Sequence, residues 1–130
     1  MKKRVLIIDD DPVIRILLSE YLATYGFSVE ALAGGREALH LLQNSFTPSG
    51  LPHIILLDLQ MPDLTGIDVL REIRSNSRTA AIRVIMLSAN ADAPFLGTEP
   101  NTRADYYLQK PFDMRMILHA IREMEGVALS

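Results

Sequence analysis

Five short segments of apolar and β-forming residues alternate along this chain with segments of helical periodicity, and this alternation constrains the fold more than any other feature. The segments predicted to be strands are residues 5–8, 27–32, 54–57, 84–87 and 106–108. Three of them are continuously apolar, as is typical of strands buried on both faces. Strands separated by helices connect through right-handed crossovers. The pattern therefore predicts an α/β fold, with a parallel sheet covered by helices on both faces.

The predicted helices have recognisable ends. Pro12 suits the first turn of the first helix, where its missing N–H costs nothing, and Gly26 suits the end of that helix. Asp113 is a suitable N-cap for the last helix. The apolar stripes along these helices indicate packing against a core and imply no cofactor.

Length and composition are those of one globular domain. The chain has 130 residues, of which 48% are hydrophobic and 22% are charged, so we expect a single domain over residues 1–130 with its core from about residue 3 to residue 125. The absence of cysteine excludes disulfides and thiolate metal sites. A net charge of −3, without a block of like charges, argues against nucleic-acid binding through a basic surface.

The start of the chain lacks the pattern of a secretion signal. Three basic residues at positions 2–4 are followed by only four apolar residues before Asp9, whereas a signal peptide needs an apolar stretch of about 7–15 residues. No run approaches the ~20 apolar residues of a membrane span. We therefore expect a soluble protein of the cytoplasm.

Polar side chains follow the ends of four predicted strands. They are Asp9, Asp10 and Asp11 after the first strand, Asp58 after the third, Ser88 after the fourth and Lys110 after the fifth. Open parallel sheets place their sites in the crevice beyond the carboxyl ends of the strands. If the first strand is central, these groups converge on one cleft.

This set of side chains suits the formation of an aspartyl phosphate. Crowded carboxylates repel one another, so at least one would tend to stay protonated unless a cation is bound. Mg²⁺ prefers oxygen ligands and is commonly held by one or two carboxylates, with waters and phosphate oxygens. A lysine supplies a point charge for a phosphoryl oxygen, and a serine hydroxyl supplies a hydrogen bond. The sequence thus predicts a carboxylate nucleophile beside a metal, a lysine and a hydroxyl.

Each of these residues also has a purely structural interpretation. The early aspartates can cap the first helix, and Asp58 can form a turn. Ser88 can bond within a turn, and Lys110 can be a solvated surface lysine. The functional interpretation is favoured because all of them occur in order at successive strand ends.

Four sequence blocks resemble the signatures of response-regulator receiver domains. They are VLIIDDDP at residues 5–12, LLDLQMPDLTG at 56–66, LSA at 87–89 and KPF at 110–112. The resemblance extends from about residue 3 to residue 125. It implies a flavodoxin-like, doubly wound, five-stranded parallel sheet of strand order 2-1-3-4-5, and a role as a phosphoacceptor of two-component signalling rather than as an enzyme.

The resemblance also implies roles for matching residues. Asp58 would accept a phosphoryl group from a phosphohistidine of a sensor histidine kinase or a histidine phosphotransfer protein. Mg²⁺ would be held by Asp10, Asp58 and the backbone carbonyl of Gln60, with Asp9 ligating weakly or through a water. The downstream partner would be an effector protein or a fused output domain. The resemblance allows a homodimer on phosphorylation, and implies no nucleic-acid or membrane binding by this domain.

Further implied roles concern the phosphoryl group itself. Lys110 would contact it, Ser88 would move to bond it, and Tyr107 would turn inward in response. The peptide bond between Lys110 and Pro111 would be cis, which suits a tight turn that directs the lysine. Gln60 and Asn90 would flank the position of an attacking water and so tune the lifetime of the phosphorylated form.

Two features depart from the family pattern. Residues 90–102 contain Pro94, Gly97 and Pro100 where members usually have a regular fourth helix, so we predict that this helix is short or irregular. Residues 103–104 are Arg-Ala where many members have Gly-Ala. The first departure affects the expected signalling face, and neither alters the predicted site.

Two other functions remain open at this point. A Mg²⁺-dependent phosphohydrolase of the haloacid-dehalogenase type also uses an aspartate nucleophile, but it needs a second aspartate two residues later, where this chain has Gln60. Turnover of a small phosphate ester would support the phosphohydrolase function. A receiver-like module that binds partners without phosphorylation would take no phosphoryl group from acetyl phosphate. The sequence does not identify the kinase, the pathway, the output or the oligomeric state, nor whether the receiver stands alone or is part of a longer regulator.

Overall fold

The computed structural model of the protein describes residues 2–44, 50–89 and 102–125. In order, the elements within these ranges are β1 (Arg4–Ile8), α1 (Pro12–Thr24), β2 (Ser28–Leu32), α2 (Gly35–Gln43), β3 (Ile54–Asp58), α3 (Gly66–Ser75), β4 (Arg83–Ser88), β5 (Tyr106–Gln109) and α4 (Met114–Met124). The strands form one parallel sheet of order β2-β1-β3-β4-β5. The predicted flavodoxin-like topology is therefore confirmed, and each predicted strand is found to within one residue at either end.

Two apolar clusters, one on each face of the sheet, form the core. Because successive side chains of a strand point to opposite faces, Leu6 and Ile8 of β1 pack with α2 and α3, while Val5 and Ile7 pack with α1 and α4. All five residues of β3 are buried. Burial of one such aliphatic side chain contributes roughly 1.5–3 kcal/mol. The central strands are thus fixed in register, and their carboxyl ends are fixed with them.

The predicted helix ends are confirmed. Asp11 caps α1, because its carboxylate accepts a hydrogen bond from an amide of the first turn at 2.9 Å, and Pro12 is the first helical residue. Gly26 follows the end of α1 with a φ of 92°, a conformation that L side chains rarely adopt. Asp113 caps α4 in the same way, at 2.8 Å. These caps set where α1 and α4 begin relative to the carboxyl ends of β1 and β5.

Two expectations from the sequence concern the helix between β4 and β5 and the absence of a membrane span. Residues 90–101, which include Pro94, Gly97 and Pro100 of the predicted irregular helix, lie outside the described residues, so that expectation stays a prediction. The label α4 used here refers to the helix after β5. Among the residues that the structure describes, no helix is long and apolar enough to cross a membrane.

Arg74 joins the end of α3 to the starts of β4 and β5. Its guanidinium donates hydrogen bonds to the carbonyl oxygens of Ala80 at 2.9 Å and Ile82 at 2.7 Å, and it pairs with Asp105 at 2.9 Å. Asp105 also accepts a hydrogen bond from the backbone N–H of Val84 at 2.8 Å. The Arg74 side chain is only 13% exposed, so its removal would leave several poorly hydrated polar atoms without their partner.

We predict that Arg74→Met lowers the free energy of unfolding by about 2–3 kcal/mol, because the lost hydrogen bonds are multiple and partly buried. Arg71→Met is the matched control on the same helix. Arg71 pairs with Asp68 at 3.5 Å, and both side chains are 47% exposed, so the loss should stay below about 1 kcal/mol. Urea denaturation followed by circular dichroism measures both values. Equal losses in the two variants would contradict the structural role of Arg74.

Candidate functional site

The carboxyl ends of β1, β3 and β5 bring together residues that are far apart in the chain. Asp9 directly follows β1, Asp58 is the last residue of β3, and Lys110 directly follows β5. The ammonium of Lys110 lies 3.0 Å from Oδ2 of Asp9 and 3.3 Å from Oδ1 of Asp58. Strands β1 and β3 are neighbours in the parallel sheet, which is why their terminal carboxylates lie side by side.

The two carboxylates that contact Lys110 are shielded from water. The exposed fraction is 0% for the Asp9 side chain and 6% for the Asp58 side chain, and that of Lys110 is 20%. Buried charges of this kind are tolerated only when they are paired and hydrogen-bonded. The ion pairs with Lys110 meet part of this requirement, and backbone amides meet another part.

Further hydrogen bonds hold Asp9 and Lys110 in place. Oδ1 of Asp9 accepts a hydrogen bond from the N–H of Asp11 at 2.9 Å, and the carbonyl of Asp9 accepts one from Nη1 of Arg15 at 2.7 Å. The N–H of Lys110 donates to the carbonyl of Ser88 at 2.7 Å. The peptide bond between Lys110 and Pro111 is cis. The side chains at the site therefore project from a backbone that is itself fixed.

A third carboxylate completes an acidic cluster. Asp9, Asp10 and Asp58 each offer a carboxylate oxygen, and these three oxygens all lie within 4.8 Å of one another. Asp10 is exposed, whereas Asp9 and Asp58 are buried. One side of the cluster thus faces solvent, and the other side faces the ends of the buried strands.

The electrostatics of the cluster show an excess of negative charge. The pKa of Asp58 is raised to about 6, because burial, first, and the negative charge of Asp9 together outweigh the opposing effect of Lys110. For Lys110, burial lowers the pKa, but the hydrogen bond and the charge of Asp9, followed by those of Asp58, raise it above its usual value. One ammonium therefore compensates three neighbouring carboxylates only in part. The pKa of Asp58 thus shifts in the direction that the sequence predicts for crowded carboxylates, with burial as the larger cause.

The donor set fits a hard divalent cation. All three side chains are carboxylates, with no nitrogen or sulfur ligand among them, and oxygen ligands are what Mg²⁺ prefers. A cation beside Asp58 would also relieve the repulsion that raises the pKa of this residue. Asp9, Asp10 and Asp58 are thus the residues that could hold such an ion.

The other predicted site residues are Ser88, Gln60, Tyr107 and Asn90. Ser88 is buried at the end of β4, next to the β3 strand that carries Asp58. The N–H of Gln60 lies 3.4 Å from Oδ1 of Asp58, and the Gln60 side chain is exposed. Tyr107 of β5 is half-buried against the apolar cluster that contains α2 and α3. Asn90 lies outside the described residues.

Two residues that contact this region, Arg15 and Asp63, were not predicted from the sequence. Arg15 lies one turn into α1 and donates to the carbonyl of Asp9; its position in the helical pattern gives no indication of this contact. Asp63 lies within the signature block at residues 56–66 but was assigned no role there; its carboxylate accepts hydrogen bonds from the first amides of α2. Neither contact follows from periodicity, because each depends on how two segments pack in space.

Topology and site together define a class of protein: an α/β domain with an acidic cluster and one lysine at the carboxyl edge of a parallel sheet. The sequence comparison identifies the family within this class. The family model for the response regulator receiver domain matches residues 5–122, and the chain therefore belongs to this family. Members are signalling domains of two-component systems. The family match favours a receiver over the phosphohydrolase alternative.

Individual relatives agree with this assignment. The chain is 31% identical to the DNA-binding response regulator MtrA of Mycolicibacterium smegmatis, over 94% of this chain and 50% of MtrA. Among solved structures, it is similar to the chemotaxis response regulator CheY4 of Vibrio cholerae, with a TM-score of 0.83, 27% identity, and coverage of 95% of this chain and 99% of CheY4.

A third similar protein was solved with a metal and a fluoride of beryllium. It is the response regulator TrrA of Thermotoga maritima in complex with Mg²⁺-BeF, with a TM-score of 0.76, 30% identity, and coverage of 94% of this chain and 98% of TrrA. The chain spans about half the length of the curated relatives that it matches.

The raised pKa of Asp58 predicts a pH-dependent stability in solutions without divalent cations. The folded state binds the Asp58 proton more tightly than the unfolded state, so stability falls as pH rises from about 4 through about 6. Asp58→Asn removes this loss. We expect the variant to be more stable than the wild type by on the order of 2 kcal/mol near pH 7, and by much less near pH 4.

Urea denaturation of both proteins in the presence of a chelator measures this difference. The difference between the two proteins is the informative quantity, because it cancels the titration of other carboxyls, such as Asp63 and Asp113, whose pKa values are lowered. A difference that does not change with pH would contradict the electrostatic account of Asp58.

Proposed function

We propose that this receiver domain takes a phosphoryl group on Asp58 in a Mg²⁺-dependent reaction and thereby changes its affinity for a partner. The observation that carries the proposal is the position of the Asp58 carboxylate, which lies at the edge of the sheet within one cluster with Asp9, Asp10 and Lys110. A carboxylate nucleophile needs neighbouring positive charge, because the incoming phosphoryl group is itself negative. The cluster has the lysine and the cation ligands for that purpose.

In the proposed reaction, an Asp58 oxygen attacks the phosphorus of a phosphohistidine. The bond between phosphorus and oxygen forms, the bond between phosphorus and the imidazole nitrogen breaks, and the imidazole leaves with the electron pair. Lys110 neutralises charge on the transferred oxygens, and Ser88 donates a hydrogen bond to one of them once it moves within reach. Positioning and charge neutralisation supply most of the rate in reactions of this type.

Mg²⁺, when bound, supplies further positive charge to the transferred group. We assign it to the carboxylates of Asp10 and Asp58 and to the backbone carbonyl of Gln60, with Asp9 ligating weakly or through a water. This assignment draws support from the grouping of the carboxylate oxygens, from the preference of Mg²⁺ for oxygen, and from the Mg²⁺-BeF complex of the similar protein TrrA.

The output would be a shift between two conformations. A phosphoryl group that bonds Ser88 better in one conformation favours that conformation, and Tyr107 on the neighbouring strand β5 would turn inward with it. We propose that the phosphoryl donor is a histidine kinase or a histidine phosphotransfer protein. The receiving partner would be an effector protein or a fused output domain, and a homodimer on phosphorylation is compatible with this scheme.

The proposal gives the domain no direct contact with nucleic acid and no catalytic turnover beyond its own phosphorylation and dephosphorylation. Gln60 and Asn90 would flank the position of an attacking water and so tune the lifetime of the phosphorylated form. A cytoplasmic location and a single domain over residues 1–130 also remain predictions.

Intact mass spectrometry after incubation with acetyl phosphate and Mg²⁺ tests the proposal. The wild type should gain the mass of one labile phosphoryl group, and Asp58→Asn should gain none. Lys110→Ala should slow the gain by about 100-fold, because it removes a preorganised charge at the transferred group. Asp113→Asn, which alters an exposed helix cap at 48% exposure, is the control and should react at the wild-type rate.

A wild type that gains no phosphoryl group under these conditions would contradict the proposal and would favour the phosphorylation-independent binding module. A gain that persists in Asp58→Asn would place the acceptor at another residue.

A further inference from the structure

A carboxylate on the loop after the phosphoacceptor strand contacts the start of a different helix. The loop runs from Leu59 to Thr65, between β3 and α3. The Asp63 carboxylate accepts hydrogen bonds from the N–H of Gly35 at 3.2 Å and of Arg36 at 2.9 Å, which are the first two residues of α2. These pairs are separated by 28 and 27 residues in the chain. The contact thus joins two segments of the sheet's carboxyl edge.

Helix α2 has no cap of its own with which Asp63 would compete. Its N-cap residue is Gly34, which has no side chain that could accept a hydrogen bond from the helix. The first amides of a helix lack partners within the helix and attract negative charge. Asp63 therefore does for α2 what Asp11 and Asp113 do for α1 and α4, but from another part of the chain.

The glycines at the start of α2 permit this close approach. A Cβ atom at Gly34 would lie 2.8 Å from Oδ2 of Asp63, and one at Gly35 would lie 2.6 Å from the side chain of Val69 and 3.0 Å from Cβ of Leu64. Gly34 has a φ of −149°, which any residue can adopt. The glycine at position 34 thus leaves space for Asp63 and is not required by an unusual backbone conformation.

The same loop carries the backbone of Gln60, beside Asp58. The first residue of the loop is bonded to the sheet, because the N–H of Leu59 donates to the carbonyl of Leu87 at 2.8 Å. The two ends of the loop are bonded to each other, because the N–H of Gly66 donates to the carbonyl of Leu59 at 2.7 Å. Asp63 fixes the part between these ends. Hydrogen bonds from the Arg36 amide, first, and from other backbone amides hold the pKa of Asp63 below its usual range, so the carboxylate is ionised near neutral pH.

We propose that Asp63 is a positioning residue for the metal and phosphoryl site, because its contact with the start of α2 fixes the loop whose Gln60 carbonyl ligates Mg²⁺. This inference rests on the proposed function. It predicts that loss of the Asp63 contact weakens Mg²⁺ binding while the phosphoryl-transfer step at saturating Mg²⁺ remains largely intact. Asp63 lies outside the cluster of Asp9, Asp10 and Asp58 and is not one of the proposed Mg²⁺ ligands.

The test compares Asp63→Ala with Asp68→Ala. The Asp68 carboxylate accepts hydrogen bonds from the N–H and the hydroxyl of Thr65 in the capping box of α3, so its variant loses a helix cap without losing a contact to α2. Mg²⁺ affinity is measured by calorimetry, and phosphorylation by acetyl phosphate is measured over a range of Mg²⁺ concentrations. Asp63→Ala should raise both the dissociation constant and the half-saturating Mg²⁺ concentration by about 5-fold. Its rate at saturating Mg²⁺ should stay within about 2-fold of the wild type.

Asp68→Ala should lower thermal stability to a similar degree as Asp63→Ala and leave the Mg²⁺ dependence unchanged. Asp63→Asn, which retains one oxygen acceptor, should give an intermediate Mg²⁺ affinity and serves as the second variant if Asp63→Ala folds poorly. Equal Mg²⁺ affinities in the wild type and in both Asp63 variants would overturn the inference, whatever the change in thermal stability.

A substitution on the other side of the contact provides an independent check. Gly34→Ala places a Cβ against the Asp63 carboxylate and should weaken Mg²⁺ binding in the wild-type background. In the Asp63→Ala background, the same substitution should have little further effect, because residues that act through one contact are not additive. Additive effects would overturn the inference. A wild type that binds no Mg²⁺ would overturn the proposed function together with this inference, whereas normal wild-type binding with unchanged variants would overturn the inference alone.

Discussion

A single ammonium group, that of Lys110, lies between two carboxylates that are almost completely removed from water, and the rest of the site depends on this unequal balance of charge. Asp9 and Asp58 accept its hydrogen bonds at 3.0 and 3.3 Å, while Asp10 adds a third carboxylate at the exposed side. Burial of an ionised carboxylate is costly unless the carboxylate is paired. The pKa of Asp58 is therefore raised in the folded domain. An additional cation bound at the site would therefore offset its excess negative charge.

The fold maintains this costly arrangement through the apolar packing behind it. The strands that carry Asp9 and Asp58 are buried between two clusters, one formed with α2 and α3 and the other with α1 and α4. Parallel pairing fixes the register of β1 against β3, and of β4 against β5. The caps Asp11 and Asp113 then begin α1 and α4 close to the strand ends. We infer that the rigidity of these elements positions the reacting groups, which is what phosphoryl transfer demands of a protein.

Apolar patterns in the sequence were sufficient to predict the sheet. The runs at residues 5–8, 54–57 and 84–87 predict buried parallel strands, and Pro12 and Gly26 predict the limits of α1, because helix starters and breakers act within a few residues of themselves. The convergence of Asp9, Asp58 and Lys110 was also predictable, since parallel strands end at one edge. The strand order came from the resemblance to a family, not from the pattern.

Other contacts could not be predicted, for a physical reason. Asp63 with the start of α2, Arg74 with Asp105, and Arg15 with the carbonyl of Asp9 all join segments whose separation depends on loop paths and side-chain packing. Such contacts leave no periodic trace in a single sequence. The predicted irregular helix falls on residues 90–101, which lie outside the described residues, and it stays a prediction. The roles of Ser88 and Tyr107 in switching concern changes that follow phosphorylation, and they also remain predictions.

The central claim is that carboxylates from the ends of β1 and β3 share one cation, and calorimetric titration with Mg²⁺ tests it most directly. Asp10→Asn should weaken Mg²⁺ binding by at least about 10-fold, because it removes a charged oxygen ligand. Asp11→Asn is the matched neighbour: it retains an N-cap for α1 and lies outside the three-carboxylate cluster, so its affinity should stay within about 2-fold of the wild type. Equal affinities for Asp10→Asn and the wild type would contradict the shared cation site.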